Sequence, residues 1–373
     1  MSSSLYIHVP FCKRKCNYCD FTSYAGKEDL IQEYLESLRS ESGYISSLYD
    51  KPKIRTVFIG GGTPTLLSEE NIKYLFDTIS ADFEILPGAE VTVEANPGTV
   101  TRDKLKTLLS CGANRISLGA QVFNNKLLKK LGRIHMEHEI IDSYNMIKET
   151  GFKNVNLDLI FALPGENMKD WRETLEKAIE LKPEHISTYN LQIEEGTVFF
   201  EEKLEGHLSL PNEDVELEMY TMAIELLRSN DYDQYEISNF AKAGFECEHN
   251  KTYWKMLDYI GLGAGAHSYI DGTRIENTSD LNKYLTKNFS EIKKEHKNSK
   301  KENMQEFLFL GLRLLDGFSL GDFTNRFGIS FREIYRKETE ELVSDGLLEI
   351  NNKNVKLTQK GLYIANEVFK AFL

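Results

Sequence analysis

The sequence predicts an α/β fold: a partial (β/α)6 barrel of parallel strands, followed by a smaller C-terminal winged-helix-like α+β domain. Three observations predict it. Short β-like runs alternate with longer amphipathic segments six times in succession, and parallel strands need such crossover helices. The strand runs read as nearly continuous apolar stretches, as expected where helices cover a sheet or side chains fill a barrel. From Met304 the pattern changes to short helices and a hairpin.

The units follow in order. SLYIHV precedes KEDLIQEYLESLRSESGYISSLY, and IRTVFIGGG precedes SEENIKYLFDTIS. EVTVEAN precedes TRDKLKTLLSCG, and RISLGAQ precedes NNKLLKKLG and HEIIDSYNMIKETG. NVNLDLIFALPG precedes MKDWRETLEKAIELKP, and HISTYNLQI leads to DVELEMYTMAIELLRS. Ser68 and Thr101 stand where helix N-caps belong, followed three residues on by Asn71 and Lys104 rather than by the acid of a full capping box. A seventh run, YDQYEISNF, precedes a glycine- and aromatic-rich stretch, HNKTYWKMLDYIGLGAGAHSYI. Residues 277–302 are polar and read as an exposed connection. The expected domains are a barrel over 1–235, a connecting region over 236–300 and the winged tail over 301–373.

Bulk properties narrow the function. At 373 residues the chain fits one large domain plus a smaller one. With 45 basic and 58 acidic side chains its net charge is −13, which argues against general nucleic-acid or anionic-membrane binding. Residues 300–373 carry eleven basic and eleven acidic side chains. A duplex reader wants a net positive stripe, so the tail reads as a packing or lid domain and no nucleic-acid partner is expected. No apolar run reaches the roughly 18–20 residues of a membrane span. The start lacks a basic segment followed by a long apolar one, so a cytoplasmic location is expected. There, clustered cysteines bind metal or do redox chemistry more often than they form disulfides.

Three of the five cysteines, Cys12, Cys16 and Cys19, lie in HVPFCKRKCNYCDF. The spacing is Cys-x3-Cys-x2-Cys. A structural zinc site wants four ligands, and here it would need His8 or a distant residue to complete it. A [4Fe–4S] cluster on three thiolates leaves one iron without a protein ligand, free to bind a small molecule. Lys13, Arg14 and Lys15 favour ionised thiols and offset the cluster's negative charge. Tyr18 places an aromatic ring beside the site.

Polar groups recur at the ends of the following strands. Gly60, Gly61 and Gly62 open a turn expected to approach a ligand closely and to offer its N–H groups. Glu94, Gln121 and Asp158 sit in VEANP, SLGAQ and NLDLIFALPG, and Arg133 follows in LGRIH. In an α/β barrel such groups gather at the carboxyl ends of the strands, and buried charges need partners.

The cysteine spacing after a first strand, with an aromatic before the third thiol, resembles the radical S-adenosylmethionine (SAM) superfamily. That resemblance implies a [4Fe–4S] cluster on Cys12, Cys16 and Cys19 whose open iron chelates the amino and carboxylate groups of SAM. An electron from the reduced cluster then yields a 5′-deoxyadenosyl radical, the cofactor supplying the chemistry and the protein the position. YIHVPFCKRKCNYCDF, GGGTPT, EANPGT, SLGAQ, LGRIH and DLIFALPGE together resemble the oxygen-independent coproporphyrinogen III oxidase group over nearly the whole chain. By that resemblance Tyr6, Gly61 and Glu94 contact the cluster-bound SAM. Tyr18, Gly62, Thr63, Gln121, Arg133 and Asp158 match positions that hold a second SAM in the oxidase.

Two departures redirect the expectation. The oxidase group carries a fourth cysteine two residues after the third, where this chain has Phe21, and it carries a longer N-terminal extension. Both departures resemble the haem-chaperone relatives of that oxidase, which bind haem and deliver it to haem-requiring respiratory proteins. Those relatives also carry His-Asn-x-x-Tyr-Trp, here His249 to Trp254. Imidazole is a usual haem-iron ligand, and Tyr and Trp offer flat faces to a macrocycle. His249 is therefore expected to contact haem, with Cys247 and His267 as alternative ligands and His8 structural. The resemblance implies a chaperone without catalytic residues of its own. Its acceptors are respiratory proteins met transiently at the membrane. Oxidative decarboxylation of coproporphyrinogen III is the alternative.

Overall fold

The computed structural model describes residues 2–373. Six strands are parallel and follow chain order across the sheet: β1 (Ser2–Val9), β2 (Lys53–Gly61), β3 (Glu84–Ala95), β4 (Arg115–Gln121), β5 (Asn154–Phe161) and β6 (His185–Asn190). The crossovers carry α1 (Ile31–Tyr49), α2 (Glu69–Asp82), α3 (Arg102–Ser110), α4 (Asn125–Lys130), α5 (Glu137–Thr150) and α6 (Met168–Glu180). Ser68 Oγ accepts from the Asn71 N–H and Thr101 Oγ1 from the Lys104 N–H, so both N-caps stand where the sequence places them. After β6 come α7 (Val198–Leu204), which sequence reading did not find, and α8 (Glu213–Arg228).

The strands alternate rather than run apolar throughout. Leu5, Ile7 and Val9 of β1, Val91, Val93 and Ala95 of β3, and Val155, Leu157 and Leu159 of β5 are buried in the apolar core. Their neighbours on the opposite face are Tyr6 and His8, Thr92 and Glu94, Asn156 and Asp158. The expectation of continuous apolar strands is thereby corrected. One face packs on helices and the other is a polar interior.

The sheet extends past the six strands at both edges. β7 (Asn239–Ala241) runs antiparallel beside β6. β8 (Tyr259–Leu262) lies parallel to β1 on its free side, followed outward by antiparallel β9 (His267–Ile270), β10 (Thr273–Asn277) and β11 (Lys293–Lys297). The stretch read as an exposed connection is thus folded, with α10 (Leu281–Leu285) between the last two strands. Glu41 of α1, fully buried, explains why. Its carboxylate accepts from the Gly263 N–H at 2.8 Å, Asn277 Nδ2 at 2.8 Å and the Tyr284 hydroxyl at 2.7 Å, and Lys293 Nζ lies 3.0 Å away. A buried carboxylate demands such partners, and here they tie four later positions to the first helix.

The tail contains α11 (Lys300–Gly311), α12 (Leu320–Phe327), α13 (Phe331–Ile334), α14 (Arg336–Ser344) and a three-stranded sheet. That sheet joins β12 (Leu348–Ile350), β13 (Asn354–Leu357) and the short strand Phe318–Ser319. Phe307, Phe318, Phe323 and Phe331 meet edge to face with centroids 5.3–5.8 Å apart, a favoured aromatic geometry. Arg274 of β10 grips Glu306 of α11 at 2.6 Å, and Arg313 lies 4.4 Å over the Trp254 ring. The domain is docked on the sheet extension.

Candidate functional site

Cys12 closes a two-residue strand just after β1, and Cys16 and Cys19 follow in the loop. All three are half-buried free thiols. They line one cavity of about 470 Å³ at the carboxyl ends of the parallel strands. Tyr18, Gly61, Gly62, Thr63, Glu94, Gln121, Arg133 and Asp158 line the same cavity. The six-strand topology therefore brings together residues up to 146 positions apart (Cys12 to Asp158). Tyr6 faces a second cavity, of about 500 Å³, which shares Gly61, Glu94, Asp20 and Phe21 with the first.

A chain of polar contacts braces the thiols. Cys12 Sγ lies 3.7 Å from Thr63 Oγ1, which accepts from Asn96 Nδ2 at 2.8 Å. Asn96 Oδ1 accepts in turn from Arg133, whose other terminal nitrogen lies 3.5 Å from Cys16 Sγ. Arg133 also donates to the Gly119 carbonyl at 2.9 Å. Asn96 thus couples two cysteines, a role that sequence reading missed. Its signal was available, because it directly follows the last residue of β3, two positions beyond Glu94. Burial pushes the Cys12 thiol up, and burial pushes the Cys19 thiol up to about 11. Positive charge is what such a site needs to hold thiolates. Arg133 supplies it from within, with the exposed Lys13, Arg14 and Lys15 on the rim.

The glycine turn departs from expectation. The Gly61 N–H donates to Glu94 Oε2 at 3.0 Å, the Gly62 N–H to the Val9 carbonyl at 2.9 Å and the Thr63 N–H to the Phe11 carbonyl at 2.8 Å. These donors are engaged inside the protein and do not form an anion cradle. Glycine is required for a steric reason instead. A Cβ on Gly61, whose φ is +107°, would lie 2.5 Å from the His8 ring, and one on Gly62 would lie 2.6 Å from the Phe11 carbonyl oxygen.

His8 has the structural role expected of it. The Thr22 carbonyl can only accept, so His8 Nε2 carries the proton that it donates there at 2.7 Å. Nδ1 then accepts from the Tyr6 hydroxyl at 2.9 Å, which fixes Tyr6 beside the second cavity. Across the sheet, Ser117 Oγ donates to Asp158 Oδ2 and Asn156 Nδ2 to Oδ1, each at 2.8 Å. Burial nevertheless raises the Asp158 carboxyl, and burial followed by the nearby Asp158 charge raises Glu94 to about 8. The buried Arg115 offsets this only in part, and two raised carboxyls at one cavity suit a ligand that brings positive charge. Gln121 is buried in the left-handed region at φ 65°, a strain that turns the chain at the end of β4.

The structure places His249 differently from the expectation. It is 1 % exposed on α9 (Glu248–Trp254). Its Nδ1 lies 2.8 Å from Thr56 Oγ1 and its Nε2 2.9 Å from the Tyr253 hydroxyl. Both ring nitrogens are engaged, and burial lowers the imidazole to about 3. This ring is a brace for Tyr253 rather than an open iron ligand. Cys247 is also fully buried, its thiol 3.4 Å from Glu90 Oε1. Glu90 further accepts the Glu248 and His249 N–H groups at 3.1 and 3.0 Å, capping α9 from strand β3. Tyr253 and His267 do face a cavity, the second one.

Among the described residues no three His, Cys, Asp or Glu side chains converge on a single ion position. A four-iron cube binds each thiolate at a separate iron, so it does not require that convergence.

Comparison with known proteins places these features. Residues 6–178 match the Radical SAM superfamily model and residues 298–364 the HemN C-terminal domain model. The chain is 40 % identical to the heme chaperone HemW of Lactococcus lactis, covering 100 % of this chain and 97 % of that one. It is 40 % identical to the Bacillus subtilis heme chaperone HemW, covering 99 % of each, and 34 % identical to the Escherichia coli one, covering 99 % and 98 %. The solved structure of coproporphyrinogen III oxidase (HemN) from Escherichia coli superposes with a TM-score of 0.85 at 23 % identity, covering 99 % of this chain and 89 % of that one. That likeness shows the shared fold: an α/β radical SAM architecture with a smaller C-terminal domain.

Proposed function

The chain belongs to the heme chaperone HemW family, and from that premise we propose that it binds haem and passes it to haem-requiring proteins. Membership of the radical SAM superfamily implies a [4Fe–4S] cluster and SAM. The residues present fit both groups. Three thiols and the Arg133 guanidinium share one cavity, and two carboxyls raised by burial face it.

In this reading Cys12, Cys16 and Cys19 hold the cluster. Tyr6, Gly61 and Glu94 hold SAM, the Glu94 carboxylate balancing an ammonium. Tyr18, Gly62, Thr63, Gln121, Arg133 and Asp158 form the remaining polar wall, the place for a second SAM. When bound, the cluster and SAM supply one-electron chemistry. The chain's own residues bind, orient and shield. The C-terminal domain has a packing role, since its Glu306 pairs with Arg274 of the sheet extension and its Arg313 lies over Trp254 of α9. A cytoplasmic chaperone that meets respiratory acceptors at the membrane surface is consistent with the absence, among the described residues, of any helix long and apolar enough to cross a membrane.

One observation carries the chaperone reading over the oxidase alternative. Phe21, 62 % exposed, stands at the rim shared by the two cavities, where the oxidase group has a further cysteine. An exposed aromatic ring suits an apolar cargo that must leave again. The test uses cluster-reconstituted protein under anaerobic conditions. Stoichiometric hemin binding with a Soret shift is expected, together with no turnover of coproporphyrinogen III in the presence of SAM and reductant. Multiple turnovers to protoporphyrinogen IX would establish the oxidase instead.

A further inference from the structure

We propose that His267 is the axial ligand to haem iron, in the second cavity, and that His249 serves only to hold Tyr253 in that cavity's wall. This inference rests on the haem-binding reading above and names where and how the cargo is held.

The chain has eight histidines. Among the described residues, His8, His135 and His267 line the two cavities of the site. Both nitrogens of His8 are engaged, by the Tyr6 hydroxyl and the Thr22 carbonyl. His135 is 2 % exposed and lies beside the Arg133 cation, so a broad macrocycle cannot reach it and a metal cation is disfavoured there. His249 is buried with both nitrogens bonded. His267 is exposed, and no other described residue hydrogen-bonds its ring. A neutral imidazole with a free lone pair is what axial ligation needs.

Its position is fixed by the backbone. His267 opens β9, where it pairs with Glu276. The place of a Cβ on Gly261 lies 2.0 Å from the His267 carbonyl oxygen, so β8 and β9 pack too closely there for any larger residue. Gly265, at φ +77°, packs against Thr22, its Cβ position 2.5 Å from the Thr22 hydroxyl oxygen. The GLGAGAH stretch thus presses a side-chain-free turn on the cluster loop and then presents one imidazole from a rigid strand. Ligands on rigid elements hold geometry better than those on loops.

The surroundings offer a flat cargo aromatic faces, with a cation beside the rim. The cavity's volume of about 500 Å³ falls within the roughly 300–1,000 Å³ usual for small-molecule sites. Tyr253 and Tyr259 form a rigid aromatic corner with centroids 4.7 Å apart at 86°. Phe21 adds an exposed ring at the rim. Lys15 Nζ sits 3.3 Å from the Phe21 carbonyl, placing a cation where a propionate can meet it. The contacts of His249 fall into place as support: Thr56 on one side, Tyr253 on the other.

The experiment titrates full-length protein with hemin and records the ferric electron paramagnetic resonance and Soret band. Wild type, His267→Ala, His249→Ala and Tyr253→Phe are compared, with thermal melting of each to show that it is folded. His267→Ala is expected to lose the histidine-ligated signature, to bind hemin on the order of ten-fold more weakly or worse, and to regain the signature when free imidazole is added. His249→Ala is expected to weaken binding while keeping the signature of the wild type. An unchanged signature in His267→Ala, or its loss in His249→Ala with imidazole rescue there, overturns the assignment while haem binding itself stands. Failure of the wild type to bind hemin overturns both the assignment and the function it rests on.

Discussion

Glu94 receives one hydrogen bond, from the Gly61 N–H, in a cavity whose nearest acidic neighbour is Asp158. Its carboxyl is raised from the ordinary 4.5 to about 8. Between those values the folded protein keeps a proton that the unfolded chain has released. Stability of the SAM-free protein therefore falls as pH rises from about 4.5 to about 8, and is constant in this term above that. Glu94 is only partly buried, and water at the cavity mouth limits the effect to about 1–3 kcal/mol. Denaturant unfolding at pH 5, 6, 7 and 8 checks this. Glu94→Gln is expected to flatten the decline relative to wild type, and parallel curves for the two proteins would show that Glu94 titrates normally. Residues of this kind were legible singly. Glu94, Gln121, Arg133 and Asp158 stand at or near strand ends, where polar side chains signal a ligand. What Asn96 does was not legible, because its two partners, Thr63 and Arg133, are 33 and 37 residues away.

At the scale of elements, the glycine turn after β2 and the helix α9 hold the site's two sides. Gly61→Ala must both adopt a left-handed φ and displace the His8 ring, which in turn orients Tyr6. A cost of about 2–4 kcal/mol is expected, read as a drop of several degrees in the thermal midpoint. A midpoint within a degree of wild type would mean that the turn tolerates a side chain and that His8 is not locked. Helix α9 links three neighbours. Glu90 caps its start, Tyr253 faces the second cavity, and Trp254 lies under Arg313 of the C-terminal domain. The helix is therefore a mechanical connection between the cavity and the tail. Its seven residues gave no helical periodicity to read. The carboxylate that caps it belongs to a strand 158 residues earlier, so no local signal announces its start. Helix α7 was missed for the same reason of length, whereas α1, α2, α6 and α8 are long and amphipathic enough to be read directly.

For the whole molecule, the consequence of two adjoining cavities is coupling. Gly61, Glu94, Asp20 and Phe21 belong to both. On the proposed assignments, SAM at Glu94 and haem beneath Phe21 draw on the same wall, so each is expected to weaken the other. Linkage requires the two factors to be equal, and coupling between sites typically amounts to about 5–150-fold. Hemin titrations with and without saturating SAM, and the reverse titration, measure both factors on cluster-replete protein. Independent binding would place the cargo away from the shared wall.

The order of elements, the six-fold α/β alternation, the helix caps and the three-thiol loop were determined by the sequence by itself, because each is encoded within a few neighbouring residues. So was the even charge balance of the tail, which follows from the side-chain counts alone. Tertiary structure decided the rest. It showed that the strands alternate between a helix-facing apolar side and a polar interior, and that the polar segment after residue 277 is folded into a short helix and an edge strand, drawn in by the buried Glu41. It also decided which imidazole is available. The sequence favours His249 and offers His267 as an alternative, but Thr56 and Tyr253 occupy the nitrogens of the first and solvent meets the second. Availability depends on partners brought in from across the chain, and a linear sequence does not specify which of its polar groups will already be satisfied.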